Sequence, residues 1–425
     1  MPPIESWPTS STRTTSAGGI RGSLELRLGE TASACDELLT AAGSLLEHDR
    51  ALAVRTLVRA AEASYLAGDN RRFVAVARQA AALRSPDDPA DLRLMFDYLA
   101  GVSATFRGRH VEAAGPLRRV LELAPAVDSP SVLVWATVAS LMLGEDGHAA
   151  ELSARAIATA RARGPISVVP QVLETMIHVQ IWRGRYASVA EHAMEGLHLA
   201  REIGQLNSAA QHLGWLAVAA AVRGDAETCR IRSTAAIELA DAHGVGMAGA
   251  LGDWALGHLD LAAGRAASAA DRLRPRRRHD HVVVRIMATP NLVEAAVRAG
   301  DRERAAAALP ALERWTGSMA SPDRRALAAR CHALLAPSAR PTSVSTRRST
   351  CTGSGPASSS GPALCCCTAE RCGASDGPEP PVNTCRRLWM PSSGTARGCG
   401  PSRRVRSYGQ PAKRWGRPCP APWTS

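Results

Sequence analysis

The sequence predicts an all-α solenoid, a stack of helical hairpins that repeats with a period of about 40 residues. Glycines recur at nearly constant spacing, the apolar residues between them follow helical periodicity, and no convincing alternating run suggests a strand. The first glycine series is spaced by 40, 36, 40, 40, 40 and 36 residues and consists of Gly68, Gly108, Gly144, Gly184, Gly224, Gly264 and Gly300. A second series is spaced by 40 residues and consists of Gly164, Gly204 and Gly244.

Each glycine of the first series ends an apolar stretch, and a polar residue follows it, as in Gly68-Asp69 and Gly300-Asp301. Glycine readily takes the left-handed conformation that closes a helix, and aspartate can cap the free N–H groups of the next one. The pair therefore predicts a tight turn between two helices. Because such a hairpin buries its apolar stripe only against its neighbours, the sequence predicts seven or eight stacked helix pairs.

Three segments differ in composition. We expect a disordered leader over residues 1–25, the repeat array over 26–340 and a disordered tail over 341–425. The chain has 51 basic and 39 acidic residues, yet 12 of the basic residues, only 3 of the acidic residues and eight of the eleven cysteines lie after residue 340. The excess positive charge thus belongs mainly to the tail and does not indicate a nucleic-acid-binding face on the array.

The chain has a single lysine, Lys413, and this excludes several functional classes. A phosphate-binding P-loop requires Gly-Lys-Ser/Thr, whereas Lys413 stands in Ala-Lys-Arg. No other lysine could form a Schiff base, and neither His-Glu-x-x-His nor Gly-x-Ser-x-Gly occurs. We therefore expect a protein that is not an enzyme, with no catalytic, cofactor-binding or metal-ligating residues.

No feature of the sequence directs the chain to a membrane or out of the cell. No apolar run approaches the roughly 18 residues that a membrane span requires. The first residues, Met1-Pro-Pro-Ile-Glu-Ser-Trp-Pro, lack the basic region and apolar stretch of a signal peptide. We expect a cytoplasmic protein.

Two motifs suggest chemistry, but a structural role is favoured for both. Gly244-Val-Gly246-Met-Ala-Gly249 matches the dinucleotide-binding fingerprint, which must follow a strand, whereas here it follows a predicted helix. His279-Asp280-His281 could supply metal ligands, but neighbouring loop residues rarely converge on one ion, so a solvated loop is favoured. Binding of phosphate or of an acidic partner is a minor alternative for the adjoining Arg272, Arg274, Arg276, Arg277 and Arg278.

Three tryptophans occupy an equivalent point of the repeat. Trp135, Trp215 and Trp254 lie 9, 9 and 10 residues before their glycines. Aromatic residues so placed could bind a ligand, but their helical spacing favours a role in the core.

The tail lacks the helical periodicity of the array. Leu364-Cys-Cys-Cys367, with Cys372 and Cys385, could suggest a metal site, but the spacing matches no paired Cys-x-x-Cys pattern and the tail has no histidine. Its composition is typical of disorder. A constant shift of reading frame, with suitable codons, converts parts of residues 364–373, 382–398 and 404–415 into amphipathic helices. We therefore hypothesise a frameshift near residue 340.

The array resembles the superhelical, TPR-like repeat region of the large ATP-binding LuxR-family regulators, the MalT-like group. The resemblance covers residues 26–340 and is carried by Leu99-Ala-Gly101, Phe106-Arg-Gly-Arg109, Gly196-Leu-His-Leu-Ala-Arg-Glu-Ile-Gly204, Trp254-Ala-Leu-Gly257, Pro290-Asn-Leu-Val-Glu-Ala-Ala-Val-Arg-Ala-Gly300 and Ala328-Ala-Arg-Cys-His-Ala-Leu-Leu-Ala336. It implies an NTPase module, an arm that receives an effector or partner, and a C-terminal helix-turn-helix. Neither the P-loop nor the helix-turn-helix is readable here, so no nucleotide- or DNA-binding residue carries over.

These observations predict the truncated, non-catalytic arm of a LuxR-type regulator. We expect a protein partner or a small-molecule effector in its concave groove, no nucleotide on this chain and no membrane. DNA would be bound only through the absent helix-turn-helix, and the basic tail is a weak alternative. A stand-alone TPR-like interaction scaffold is the alternative function. A cofactor enzyme that uses Gly244–Gly249 is disfavoured by the missing strand.

Overall fold

The structure is a computed structural model that describes residues 10–126, 129–163, 166–275 and 279–336. Within these ranges it contains helices and no strand, so the predicted all-α solenoid of TPR-like hairpins is confirmed. The α-helices are α1 (Ser10–Leu28), α2 (Thr31–Leu45), α3 (Arg50–Ala67), α4 (Asn70–Ala81), α5 (Ala90–Phe106), α6 (His110–Leu123), α7 (Pro130–Leu143), α8 (Asp146–Arg163), α9 (Val169–Trp182), α10 (Tyr186–Glu202), α11 (Leu206–Arg223), α12 (Ala226–His243), α13 (Gly246–Ala262), α14 (Ala266–Arg272), α15 (Val282–Arg298), α16 (Arg302–Gly317) and α17 (Pro322–Leu335). Short 3₁₀ turns cover Ala124–Ala126 and Ile166–Val168. The predictions made for residues 341–425 lie outside the described residues.

Helices α1 to α16 form eight consecutive pairs, and α17 stacks after the last of them. The odd-numbered helices line the inside of the superhelix. For example, α11 buries fourteen of its 18 residues, whereas its outer partner α12 buries four of its 18. An outer helix therefore needs only a narrow apolar stripe, while an inner helix is apolar on most of its surface.

The turns follow the predicted chemistry. Nine members of the two glycine series are described, and all have a positive φ, as at Gly68 with 77°. The aspartates after three of them cap the next helix, because each accepts a hydrogen bond from the backbone N–H three residues on: Asp69 at 2.9 Å, Asp225 at 3.1 Å and Asp301 at 3.0 Å. Each cap satisfies an N–H group that the helix itself leaves unpaired.

Helix α1 occupies most of the segment for which the sequence predicts a disordered leader. It begins at Ser10, and its last turn buries Leu26 to 4% exposure. Gly22 allows α2 to approach closely, since a Cβ at this position would lie 2.8 Å from the Leu38 side chain. The structure differs from the expectation because α1 is the inner partner that covers the apolar face of α2.

The superhelix is wound tightly enough for its successive turns to touch. Helix α1 contacts α11, and α3 contacts α13. The Asn207 side chain on α11 donates hydrogen bonds to the carbonyls of Leu26 at 2.7 Å and Gly29 at 3.0 Å. Near α17, the N–H of Ala320 donates to the carbonyl of Leu143 at 2.9 Å. These bridges draw the inner helices together around the axis, so the concave face becomes a narrow internal cavity.

The array carries three cysteines, and all of them are buried and unpaired: Cys35, Cys229 and Cys331. They behave as small apolar core residues. In the part of the chain that the structure describes, no helix is both long and apolar enough to cross a lipid bilayer.

Candidate functional site

The strongest candidate site is an axial cavity of about 130 Å³ between the inner helices. Helices α1, α3, α4, α5, α7, α9, α11, α15, α16 and α17 all contribute to its wall, so residues that are far apart in the sequence meet there. The polar part of the wall is formed by Arg27, Glu62, Gln171, Glu174, Thr175, His178, Asn207, Ser208, Gln211 and Arg324. Its aromatic part is formed by Tyr65, Phe73, Tyr98, Trp135, Trp182 and Trp315.

Two carboxyl groups line the cavity from two inner helices, α3 and α9, that are separated in the series by α5 and α7. Glu62 on α3 accepts hydrogen bonds from Gln171 at 2.5 Å and from Arg59 at 2.8 Å. Glu174 on α9 is 8% exposed, and burial, with a further contribution from the charge of Glu62, raises its pKa to about 8. Glu174 is therefore mostly protonated at neutral pH, and it can lose that proton when a positive charge approaches.

Two buried side chains of the cavity wall carry acceptor atoms that have no partner among the described residues. The Nδ1 of His178 lies 2.9 Å from the backbone carbonyl of Glu174. Because a carbonyl only accepts, Nδ1 carries the hydrogen and Nε2 keeps a lone pair; burial lowers the pKa of His178 to about 4, so the ring is neutral. Asn207 commits its amide nitrogen to two carbonyls, which fixes its oxygen as the free atom. Neither the His178 Nε2 nor the Asn207 Oδ1 has a partner among the described residues.

Helix α17 contributes Arg324 to the cavity wall, and this arginine is only 1% exposed. Its guanidinium forms an ion pair with Asp146, donates to the carbonyl of Leu141 at 2.7 Å and packs on the Trp182 ring with 4.1 Å to the centroid. Burial lowers the pKa of Arg324, and the carboxylate of Asp146 opposes that effect. A charge so deeply buried is stable only when it is paired in this way.

The three repeat tryptophans do not have a common role. Trp215 and Trp254 are core residues, 0% and 6% exposed, as the helical spacing predicted. Trp135 instead lines the cavity and stacks with Tyr98 at 5.7 Å between ring centroids. Trp182 and Trp315, which lie outside the tryptophan series, also face the cavity. Aromatic walls of this kind suit an aliphatic or cationic ligand.

The His279-Asp280-His281 segment is not a solvated loop, and that interpretation was wrong. His281 is 1% exposed, and its Nε2 lies 3.0 Å from the carbonyl of Tyr65 on α3. His279 lies between Asp253, 3.0 Å from its Nδ1, and Asp241, 3.3 Å from its Nε2. The hydrogen bond to Asp253 is the main cause that raises the pKa of His279. The two imidazoles thus face different partners, and the described residues contain no group of metal-ligating side chains that could hold an ion.

The fingerprint-like glycines serve packing, as the repeat predicted. Gly244 ends α12 and Gly246 begins α13, so in the described part of the chain a helix, and not a strand, precedes the motif. A Cβ at Gly246 would lie 2.3 Å from the carbonyl oxygen of Ala67, and one at Gly249 would lie 2.3 Å from the His279 ring. Both glycines are therefore needed for close contacts of α13 with other parts of the superhelix.

The sequence does not identify Glu62, Glu174, His178 and Asn207 as site residues. A usable signal exists, because the polar residues Gln171, Glu174 and His178 recur at helical spacing within the mainly apolar helix α9. Polar residues at this spacing predict a polar stripe along one face of an inner helix. Their convergence with Glu62 and Asn207 depends on the superhelical winding, which the sequence does not reveal.

No protein family model matches the chain, and neither does the sequence of any curated protein. Solved structures do resemble it. A Rap protein complexed with competence and sporulation factor has a TM-score of 0.46 and 11% identity over 76% of this chain and 98% of that one. The APC/C hetero-tetramer Cut9–Hcn1 has a TM-score of 0.48 and 12% identity over 76% of this chain and 57% of that one. A signal transduction ATPase with a tetratricopeptide repeat sensor from Pyrococcus horikoshii has a TM-score of 0.39 and 13% identity over 71% of this chain and 49% of that one.

Proposed function

We propose that this chain is the effector-binding arm of a LuxR-type regulator and that it binds a small-molecule effector in the axial cavity. One observation carries the proposal: the wall of a cavity on the axis of the repeat array includes His178 and Asn207, whose buried Nε2 and Oδ1 atoms have no partner among the described residues. Unpaired buried polar atoms cost free energy, so a ligand that pairs with them gains both affinity and specificity.

The position of the cavity supports a sensing role. Nearly all the inner helices contribute to its wall, and the bridges between superhelical turns run beside it. A ligand held by α3, α9 and α11 together would favour the tightly wound superhelix over a more open one. Binding energy at the axis would thereby shift the shape of the whole array, which is what a switch in a larger protein requires.

The proposal is tested by titrating the purified full-length chain with small amines, alcohols and carboxylates. We expect members of one class to quench tryptophan fluorescence and to raise the Tm by a few degrees, since a ligand at 100 times its Kd stabilises a protein by about 2.7 kcal/mol. Ala61→Leu, which fills the cavity wall at a residue 1% exposed, should abolish both effects. Ala306→Leu on the exposed face of α16 is the control and should leave both intact. Equal ligand effects in the two variants would contradict the proposal.

A second candidate is a TPR-like scaffold that binds a protein. It is favoured by a stripe of exposed apolar residues on α1, formed by Ile20, Leu24 and Leu28 at 63%, 53% and 42% exposure. The stripe borders a groove of about 680 Å³ between α1, α2 and α3. Apolar residues that share one helix face in this way suit an amphipathic partner helix. Binding of a partner that is lost in Leu24→Glu but kept in Ala61→Leu would favour this alternative.

A further inference from the structure

We propose that the axial cavity binds a small organic cation, an alkylammonium or guanidinium compound, and that Glu174 and Glu62 are its acidic partners. The inference rests on the proposed function and specifies the chemistry of the effector.

Three buried acceptor atoms without a partner belong to residues of the cavity wall near Glu174. Glu174 and His178 lie one turn apart on α9, and Asn207 and Gln211 lie one turn apart on the adjacent α11. His178 Nε2, Asn207 Oδ1 and Gln211 Oε1 all lack a partner among the described residues, and each of these residues is at least nine-tenths buried. Because acceptors can be satisfied only by donors, the matching ligand carries hydrogen-bond donors, and the adjoining carboxyl groups favour donors on a cation.

The arginines of the wall already have partners, so they do not create an anion site. Arg27 donates to the carbonyl of Ser167 at 2.8 Å and its charge interacts with the carboxylate of Glu62, and Arg324 is paired with Asp146. The donors without a partner among the described residues are the indole N–H groups of Trp215 and Trp315, the Nε of Arg324 and an Nη of Arg330. Of these residues, Trp315 on α16 and Arg324 on α17 line the cavity. Arg324 packs on Trp182, eight residues beyond Glu174 on α9, a separation of about 12 Å along the helix. A short cation at the Glu174 end would not reach this group.

The remaining wall is suited to the body of such a ligand. Tyr98, stacked on Trp135, and Tyr65 present aromatic surface to the cavity. Faces of aromatic rings attract cations, and the interaction is strongest where water is excluded. A volume of about 130 Å³ accommodates a short alkyl chain with its charged head group.

Titration of Glu174 gives the binding event a measurable signature. The titratable groups that surround it are Glu62 and Tyr65 on α3, Tyr98 on α5, Arg27 on α1 and the neutral His178 on its own helix. Because the pKa of Glu174 is about 8, a cation bound beside it at pH 7 would displace close to one proton from its carboxyl group to the solvent. The affinity for the cation should consequently rise about tenfold between pH 6 and pH 7.

The experiment compares three probes that share a four-carbon chain: n-butylammonium, 1-butanol and butyrate. Each is titrated calorimetrically into the full-length chain at pH 7 in two buffers of different ionisation enthalpy, which yields the number of protons released. We expect n-butylammonium to bind at least tenfold more tightly than 1-butanol and to release close to one proton. Butyrate should not compete.

Two variants and one control test whether the carboxyl groups of Glu174 and Glu62 bind the amine. Glu174→Gln should weaken n-butylammonium at least tenfold and abolish proton release, while binding of 1-butanol is unchanged. Glu62→Gln provides a second, independent test and should also weaken the amine. Glu191→Gln, on the exposed face of α10, should behave as the wild type.

The possible failures are distinguishable. If 1-butanol or butyrate binds as tightly as the amine, the cationic ligand is refuted and the proposed effector function stands. Amine binding that survives in both Glu174→Gln and Glu62→Gln would refute the assigned site. If none of the three probes binds, the inference fails together with the cavity as an effector site.

Discussion

At the scale of single residues, Glu174 is an acidic side chain in surroundings that favour an apolar one. It lies on the apolar helix α9, and the described residues offer its carboxyl group no cationic partner within ion-pair distance. Burial without such a partner disfavours the charged form, and the nearby Glu62 adds to the effect, so the pKa rises to about 8. A perturbed carboxyl in a cavity is a common property of functional sites. The sequence indicates an acidic residue here, but its pKa depends on packing that the sequence does not reveal.

The raised pKa makes a prediction about stability. Glu174 keeps its proton in the folded chain up to about pH 8, whereas the unfolded chain releases it near pH 4.5. The stability contributed by the protonated group is therefore fully present below pH 4.5 and is lost as the pH rises towards 8. We expect the free energy of unfolding of the wild type, relative to Glu174→Gln, to fall by up to about 1.4 kcal/mol per pH unit in that window. Urea unfolding at several pH values measures it, and a constant difference would refute it.

At the scale of helices and turns, much of the fold follows from local chemistry. The glycines that take a positive φ and the aspartates that cap the next helix are both predicted from the spacing of the repeat. Helix α1 is not predicted, because Gly18, Gly19 and Gly22 lower its intrinsic helix propensity. It forms through packing on α2, and Gly22 is the residue that permits that close approach. Local helix propensity therefore fails to predict a helix whose formation depends on tertiary contacts.

Helix α17 gives a prediction at the scale of an element. Arg324 attaches it to α7, to Asp146 and to Trp182, so Arg324→Met leaves the carboxylate of Asp146 without its partner. Loss of one member of a buried ion pair costs about 3 kcal/mol or more. We expect a destabilisation of that size, and a red shift of the tryptophan emission as Trp182 becomes exposed to water. The control is Arg325→Met on the exposed face of the same helix, which loses only a hydrogen bond to the carbonyl of Met319 and should cost at most about 1.5 kcal/mol. Equal effects of the two substitutions would contradict this role.

At the scale of the whole molecule, the contacts between superhelical turns distinguish this array from an open solenoid. In an open array each repeat touches only its neighbours, and stability is a sum over adjacent pairs. Here His281 contacts Tyr65, and Asn207 contacts Leu26, across most of the array. These long-range contacts also explain why a solvated loop was wrongly expected at His279-Asp280-His281. The repeat pattern predicts the hairpins but not the pitch of the superhelix, and the pitch decides which loops are buried and where the cavity forms.

Gly246 tests whether these contacts join distant repeats into one cooperative unit. A Cβ at Gly246 would lie 2.3 Å from the carbonyl oxygen of Ala67, so Gly246→Ala must separate α13 from the end of α3. We expect a destabilisation of about 1–3 kcal/mol, as for other overpacked sites, although alanine favours a helix more than glycine does. Hydrogen exchange should accelerate both in α13 and in the last turn of α3, which is distant in sequence. Gly43→Ala, an exposed position on α2 where a Cβ meets nothing within 4 Å, is the matched control and should stabilise the chain by up to about 1 kcal/mol. Faster exchange confined to α12, α13 and α14 would show that the turns of the superhelix are energetically independent.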